Sequence, residues 1–429
     1  MAVGIMATMS FNMVDTYFVA QLGDEALAAI SFTFPVMMMG ISLAVGLGAG
    51  LSSVVSRAAG AHDEDAVRAL ITDGISLTFL LALLFGVVGF LNIDNFFSAI
   101  GASDQILPLI RDYMKWWFPS LVFFILPMVG MAAIRALGNT QLQGTLMIGM
   151  ALANAILDPF LIFGWWIFPR LEVEGAAIAS LIVRVVAVAV TFYFMHIKMR
   201  LFVNPFNVSR IKESWPKILH VGIPAMATNL IIPFSGSVLV ALVATHGNAA
   251  VAGFGVATRV ESMALILFYA LSAVIGPFCG QNLGAKKFQR LFDAQQITGL
   301  FCLYSGVFVA VVLAVFGKPI AALFSSDTAV IDTTYNYLLI VPMSYAAYGV
   351  VMVVNASFNG LGKPMPGVII SALRVIVVLL PLAWLANAYF GLNGVFVAIA
   401  ATNILVGMGA FVWVNRVIGR TKHRALPDA

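Results

Sequence analysis

What most restricts this chain is a series of twelve apolar runs, each about 20 residues long and separated by short loops with charges, Gly or Pro. The runs cover residues 1–20, 32–56, 71–91, 115–134, 142–166, 175–197, 217–245, 251–278, 294–316, 335–356, 367–388 and 393–415. A helix of about 20 residues crosses a hydrocarbon core of about 30 Å, and backbone polar groups in lipid must be satisfied within the segment. Hydrophobic residues make up 61% of the 429, charged residues 10%, and the mean hydropathy is +1.00, which excludes an ordinary soluble domain. Twelve spans leave little chain for one.

Run 1 has no basic start and leads into Gln21, Leu22, Gly23, Asp24 and Glu25 instead of a small-residue cleavage site, so it reads as a retained span and not a signal peptide. Of the 23 Lys and Arg, 16 fall in the even-numbered loops and the C-terminal tail, and only Arg111, Lys115, Arg170 and Lys318 in the odd-numbered loops. The positive-inside rule then puts both termini in the cytoplasm, with the chain as a multi-pass protein of a bacterial inner membrane. These basic residues are spread over several loops without aromatic interleaving, which argues against nucleic-acid binding. Cys279 and Cys302 lie in or beside spans and read as small core residues, and the five His show no ligand spacing. No cofactor and no dedicated metal site are expected.

Sliding the sequence along itself gives one offset, 224, that holds in three places without a gap. Gly23 falls on Gly247, Gly60-Ala61 on Gly284-Ala285, and Leu137-Gly138 on Leu361-Gly362. Six spans therefore repeat as six. The expected fold is an all-α membrane protein of 12 transmembrane helices in two pseudo-symmetric six-helix bundles, related by an axis along the membrane normal because an even number of spans preserves direction. The layout is an N-lobe over 1–197, a polar linker over 198–216, a C-lobe over 217–417 and a tail over 418–429. Pro224 near the start of run 7 falls on position zero at this offset, so the matching turn of the first span is expected to precede residue 1, with the start either trimmed or lying upstream.

Carboxylates near the bilayer centre cost at least about 2.5–3.5 kcal/mol each on insertion scales. Asp15 and Asp158 stand out: Asp15 is eight residues before Gly23 and Asp158 eight before Trp166, at the outer ends of their helices, hence each about 12 Å deep. Asn12 precedes Asp15 by three residues and Asn154 precedes Asp158 by four, spacings that place each pair on one helix face. Pro159 removes a backbone donor beside Asp158. Two acids in one low-dielectric pocket cannot easily both ionise, so the pair is suited to hold a proton or a sodium ion. The alternative for Asp158 is a structural ion pair with Arg184 on run 6. Arg259 and Glu261, near the start of run 8, read as an outer-interface structural pair, and Arg374 has no evident partner.

The stretch VDTYFVAQLGDEALAA at 14–29, the Gly-Ala loops followed by Arg68 and Arg290, RALGNTQ at 135–141 and NAILDP at 154–159 resemble the multidrug and toxic compound extrusion (MATE) family of the MOP superfamily over essentially the whole chain. Runs 7 and 10 lack the carboxylates of NorM-like members, so the chain looks like the DinF-like branch. That resemblance implies a coupling site of Asp15, Asn154 and Asp158, with Tyr113 as an accessory hydrogen-bonding group. The expected polar partner on run 4 is replaced by apolar residues such as Met131. The expected function is an antiporter, not an enzyme, acting as a monomer and exporting cationic or amphiphilic organic compounds in exchange for H+ or Na+ by alternating access. Met37, Met226, Phe234, Met343 and Tyr348 are candidate cavity residues, since Met and aromatic side chains suit an adaptable apolar site. The competing function is a flippase for a lipid-linked saccharide, which would need a basic cavity around Arg184 and Arg374.

Overall fold

The computed structural model describes residues 1–9, 24–102, 105–164, 171–205 and 207–425. Helix α1 covers 2–9 and is followed by α2 (Asp24–Gly60), α3 (Glu64–Leu91), the short α4 (Ile93–Ala99), α5 (Leu107–Ala136), α6 (Gln141–Phe163) and α7 (Glu172–Tyr193). A π-helical turn over Phe194–Lys198 ends α7. The second half holds α8 (Val208–Ala244), α9 (Asn248–Ala264), α10 (Ile266–Gly284), α11 (Phe288–Ala322), α12 (Thr328–Ile340) and α13 (Tyr345–Gly360), then α14 (Met365–Ala372) and α15 (Leu380–Ala425). No strand occurs among the described residues.

Ten helical stretches among the described residues are long and apolar enough to cross a membrane. The longest, Met365–Arg420, carries runs 11 and 12, joined at Gly391, where φ is 62° and ψ is −150°. Only glycine adopts that backbone without a steric penalty. Run 1 lies mostly outside the described residues. Run 8 is divided at Leu265 into α9 and α10, and run 10 contains a 3-10 turn at Val341–Ser344, where Pro342 withholds a backbone donor. Run 11 opens into a π-helical turn at Leu373–Leu379.

The duplication is visible in the helix ends. α2 and α9 begin at Asp24 and Asn248, α3 and α11 at Glu64 and Phe288, and α6 and α14 at Gln141 and Met365, each pair 224 apart. Gly138 and Gly362 follow α5 and α13 with φ of 97° and 69°, and each donates its N–H back into the last helical turn. The repeated Leu-Gly pair is thus a repeated helix stop, at a backbone conformation that a side chain would strain.

The chain divides into two compact units, an N unit of Met1–Ala59 with Asp63–Met226 and a C unit of Gly60–His62 with Ala227–Ala429. Each has its own core: Leu47, Leu51, Ile71, Ile110, Met114 and Leu121 in the first, Phe268, Tyr345, Phe358 and Phe396 in the second, all fully buried. Large apolar side chains also face outward, as on α11, where Tyr304 is 72%, Phe308 67% and Val315 62% exposed. Water would not tolerate such a stripe, whereas lipid does. Lipid is as apolar as leucine, so packing and close backbone approach hold such helices together more than the hydrophobic effect does. In the N unit Gly46 and Gly50, one turn apart on α2, meet α8 around Gly222. A Cβ at Gly50 would lie 2.4 Å from the Ile218 carbonyl oxygen, so alanine there would force the two helices apart.

Candidate functional site

In the N unit the i,i+4 spacing of Asn154 and Asp158 works out as expected: both lie on the buried face of α6, at 5% and 0% exposure. Asn154 Nδ2 donates to Ser180 Oγ on α7 at 3.1 Å, which fixes the amide. Pro159 sits within α6 immediately after the acid. From α7, Arg184 donates through Nη1 to Ser120 Oγ on α5 at 2.5 Å, and its guanidinium carbon lies 5.0 Å from the centre of the Phe124 ring. Tyr113 is buried on α5. Asp15 and Asn12 lie outside the described residues. A fully buried carboxylate beside an anchored amide has the oxygen chemistry to bind a proton or a hard monovalent cation.

The candidate cavity residues fall in different surroundings. Met37 accepts a hydrogen bond from Thr33 Oγ1 through its sulfur at 3.4 Å, and Met226 packs where α8 passes Gly46, both in the N unit. In the C unit Phe234 and Met343 are exposed, while Tyr348 is buried under Arg374.

Two acids have partners that the sequence reading did not find. Asp73 on α3 is fully buried, and Arg210 of α8 grips it with a two-pronged contact, Nη2 to Oδ1 at 2.8 Å and Nε to Oδ2 at 2.9 Å. Arg210 also donates to the Asn204 carbonyl at 2.7 Å, Trp215 Nε1 to the Asp73 carbonyl at 2.9 Å, and the Val203 N–H to Thr72 Oγ1 at 3.0 Å. The segment between the repeats is thereby fastened to the start of α3. Asp73 stands close to a span boundary in the sequence, so its burial has no local signal.

Glu261 is the second. It was expected at an outer interface with Arg259, but it lies fourteen residues beyond Gly247, about 21 Å along the helix, in the last turn of α9. Residues two apart on a helix do not face each other, and Arg259 is exposed while Glu261 Oε2 accepts from Tyr337 Oη at 2.5 Å. Arg374 acquires its partners here as well: Nη1 donates to Asn403 Oδ1 at 3.1 Å, Asn403 Nδ2 donates to Ser344 Oγ at 3.1 Å, and the guanidinium carbon lies 4.5 Å from the Tyr348 ring centre.

A duplicated set of membrane helices carrying buried ionisable groups in its interior is the build of a secondary transporter. The sequence model of the MatE family matches residues 1–160 and 224–385, and the chain belongs to this family of membrane transporters. It is 38% identical to a Shewanella oneidensis protein named FAD transporter, over 97% of this chain and 92% of that one. It is 29% identical to the multidrug export protein MepA of Staphylococcus aureus, over 96% of this chain and 91% of that one. Among solved structures, the Vibrio cholerae MATE transporter VcmN in its bent form aligns with a TM-score of 0.92 at 32% identity, covering 98% of this chain and 95% of that one.

Proposed function

We propose that the protein is a cation-coupled antiporter of the bacterial inner membrane that exports bulky organic compounds by alternating access, with Asp158, Asn154 and Asp15 as its coupling site. One observation carries this: a carboxylate with no exposed surface at Asp158, one turn from the anchored amide of Asn154, within a membrane helix. Holding a charge there without function costs at least about 2.5–3.5 kcal/mol on insertion scales. Protonation or sodium binding at Asp158 removes that cost in one state of the cycle, and one charge moving down 100 mV releases about 2.3 kcal/mol to bias the other. The absence of acids from the segments 217–245 and 335–356 favours the DinF-like arrangement, with coupling in the first half. The names of the relatives, an FAD transporter and a multidrug export protein, support large aromatic or amphiphilic compounds as cargo. Both chain termini face the cytoplasm in this arrangement, and the monomer is the working unit.

The test uses proteoliposomes of the full-length protein with a fluorescent organic substrate under an imposed pH gradient, then an imposed sodium gradient, comparing wild type with Asp158→Asn and Asp15→Asn. Movement driven by one gradient and abolished by either substitution supports the coupling site and identifies the ion. Gradient-driven movement that survives both substitutions sinks it.

A further inference from the structure

The N unit holds a cavity of about 320 Å³ between the end of α2, the start of α3 and the start of α8, where the basic loops over 57–70 and 198–216 lie. Its cations are Arg57, Arg210 and Lys217, and Val54 and Leu70 supply an apolar wall. Arg57 is half-buried and has neither a hydrogen bond nor an ion pair among the described residues. The dipole of α2 favours a cation in its last turn, where Arg57 stands, but the guanidinium donates to none of its carbonyls. Ser214 lines the cavity at 5% exposure, and its hydroxyl likewise has no hydrogen-bond partner among the described residues. Arg210 spends Nε and Nη2 on Asp73 and the Asn204 carbonyl, and Nη1 takes part in none of these contacts. Lys217 has only a loose pair with Glu213, 4.0 Å long between side chains 63% and 74% exposed. With Asp73 counted beside Arg210, three cations meet two carboxylates, which leaves one net positive charge in a partly dehydrated recess. Buried donors without acceptors are costly, so this cavity is short of an anion.

We propose that this cavity binds a phosphate group, held by Arg57 from α2 and by Ser214, Lys217 and the Nη1 of Arg210 from α8. A planar guanidinium matches two oxygens of a phosphate, and a hydroxyl and an ammonium each take one more. Basic recesses between spans are the places where membrane proteins take anionic headgroups, and a headgroup and a free phosphate present the same oxygens. The anion joins the end of α2 to the segment between the repeats, which the Asp73–Arg210 contact already fastens to α3. None of the coupling residues takes part, so the site stands apart from the proposed transport function.

Calorimetric titration of the full-length protein in detergent tests the site without gradient or cargo, so its failure is distinct from failure of ion coupling. The probes are inorganic phosphate and the short-chain lipid dihexanoyl phosphatidylglycerol, each against chloride at equal ionic strength. Wild type binds at least one probe, and chloride does not displace it. Arg57→Gln removes a side chain that has no protein partner and weakens binding about tenfold or more, the worth of one charge-assisted contact. Glu213→Gln, at a mostly exposed position, acts in the opposite direction and tightens binding about two- to fivefold by removing a repelling charge. Lys318→Gln, in an odd-numbered loop, changes nothing. Lipid binding about tenfold tighter than that of inorganic phosphate assigns the site to a membrane headgroup, and the reverse order to soluble phosphate; either supports the phosphate site. The proposal is overturned if neither probe binds, if affinity is the same in wild type, Arg57→Gln and Glu213→Gln, or if Lys318→Gln loses as much as Arg57→Gln.

Discussion

Laid over one another at the offset of 224, the two units share a scaffold and differ in how they handle charge. Ser120 and Phe124 of α5 correspond to Ser344 and Tyr348 of the C unit, and in both units a guanidinium covers the ring, at 5.0 Å in the N unit and 4.5 Å in the C unit. In the N unit one residue does two things, because Arg184 both covers Phe124 and donates to Ser120. The C unit divides the work. Asn403, nine residues after Gly394 as Arg184 is nine after Gly175, donates to Ser344, while Arg374 arrives from another span to cover Tyr348. Tyr113 and Met37 of the N unit likewise correspond to Tyr337 and Glu261, so the Tyr–Glu hydrogen bond of the C unit stands where the N unit has a tyrosine and a thioether. The N unit has its fully buried acids elsewhere, at Asp158 on α6 and at Asp73 on α3. A duplicated framework can therefore carry fully buried acids in one copy and a network of arginine, asparagine and serine in the other.

The sharpest break of this comparison sets the two acids against each other. Asp158→Asn is expected to reduce gradient-driven transport by at least a hundredfold, to about the level of protein-free liposomes, whereas Glu261→Gln keeps the coupling; equal losses would mean that both units couple. Next is the clasp that only the N unit has, since the counterpart of Asp73 is the exposed Ile297. Arg210→Ala leaves a carboxylate buried and unpaired and is expected to destabilise the protein by about 3–5 kcal/mol, read as a lower unfolding temperature in detergent, with partial recovery in the double variant carrying Asp73→Asn. A smaller effect separates the equivalent tyrosines. Tyr337→Phe removes a hydrogen bond to a carboxylate and should cost about 1.5–3 kcal/mol, and Tyr113→Phe about 0.5–1.5 kcal/mol, in the same unfolding assay. Smallest is the difference between the two ring contacts: double-mutant cycles should give about 2 kcal/mol for Arg374 with Tyr348 and about 0.5–1 kcal/mol for the less buried Arg184 with Phe124.

The spans were legible because hydropathy over about 20 residues is a local property, and run 8 was blurred because its division at Leu265 involves no proline or glycine. Asn154 and Asp158 were legible as a pair because helical spacing alone puts them on one face. Their contact with Ser180 was not, nor was the grip of Arg210 on Asp73, a residue 137 positions away along the chain. Arg374 was conspicuous as a charge within a span and silent about its partners, which come from runs 10 and 12.

The sequence by itself determined that the chain crosses a membrane many times, that its second half repeats its first, and that an acid at position 158 stands within an apolar run. Each of these follows from composition, period or self-similarity, which act along the chain. Only the tertiary structure decided which polar groups meet, because in an apolar bundle a donor takes whichever acceptor packing brings within about 3 Å, and that partner is set by helix rotation and by local 3-10 and π turns. A serine and an aromatic residue one turn apart read alike in both halves, and their arginines arrive from different helices.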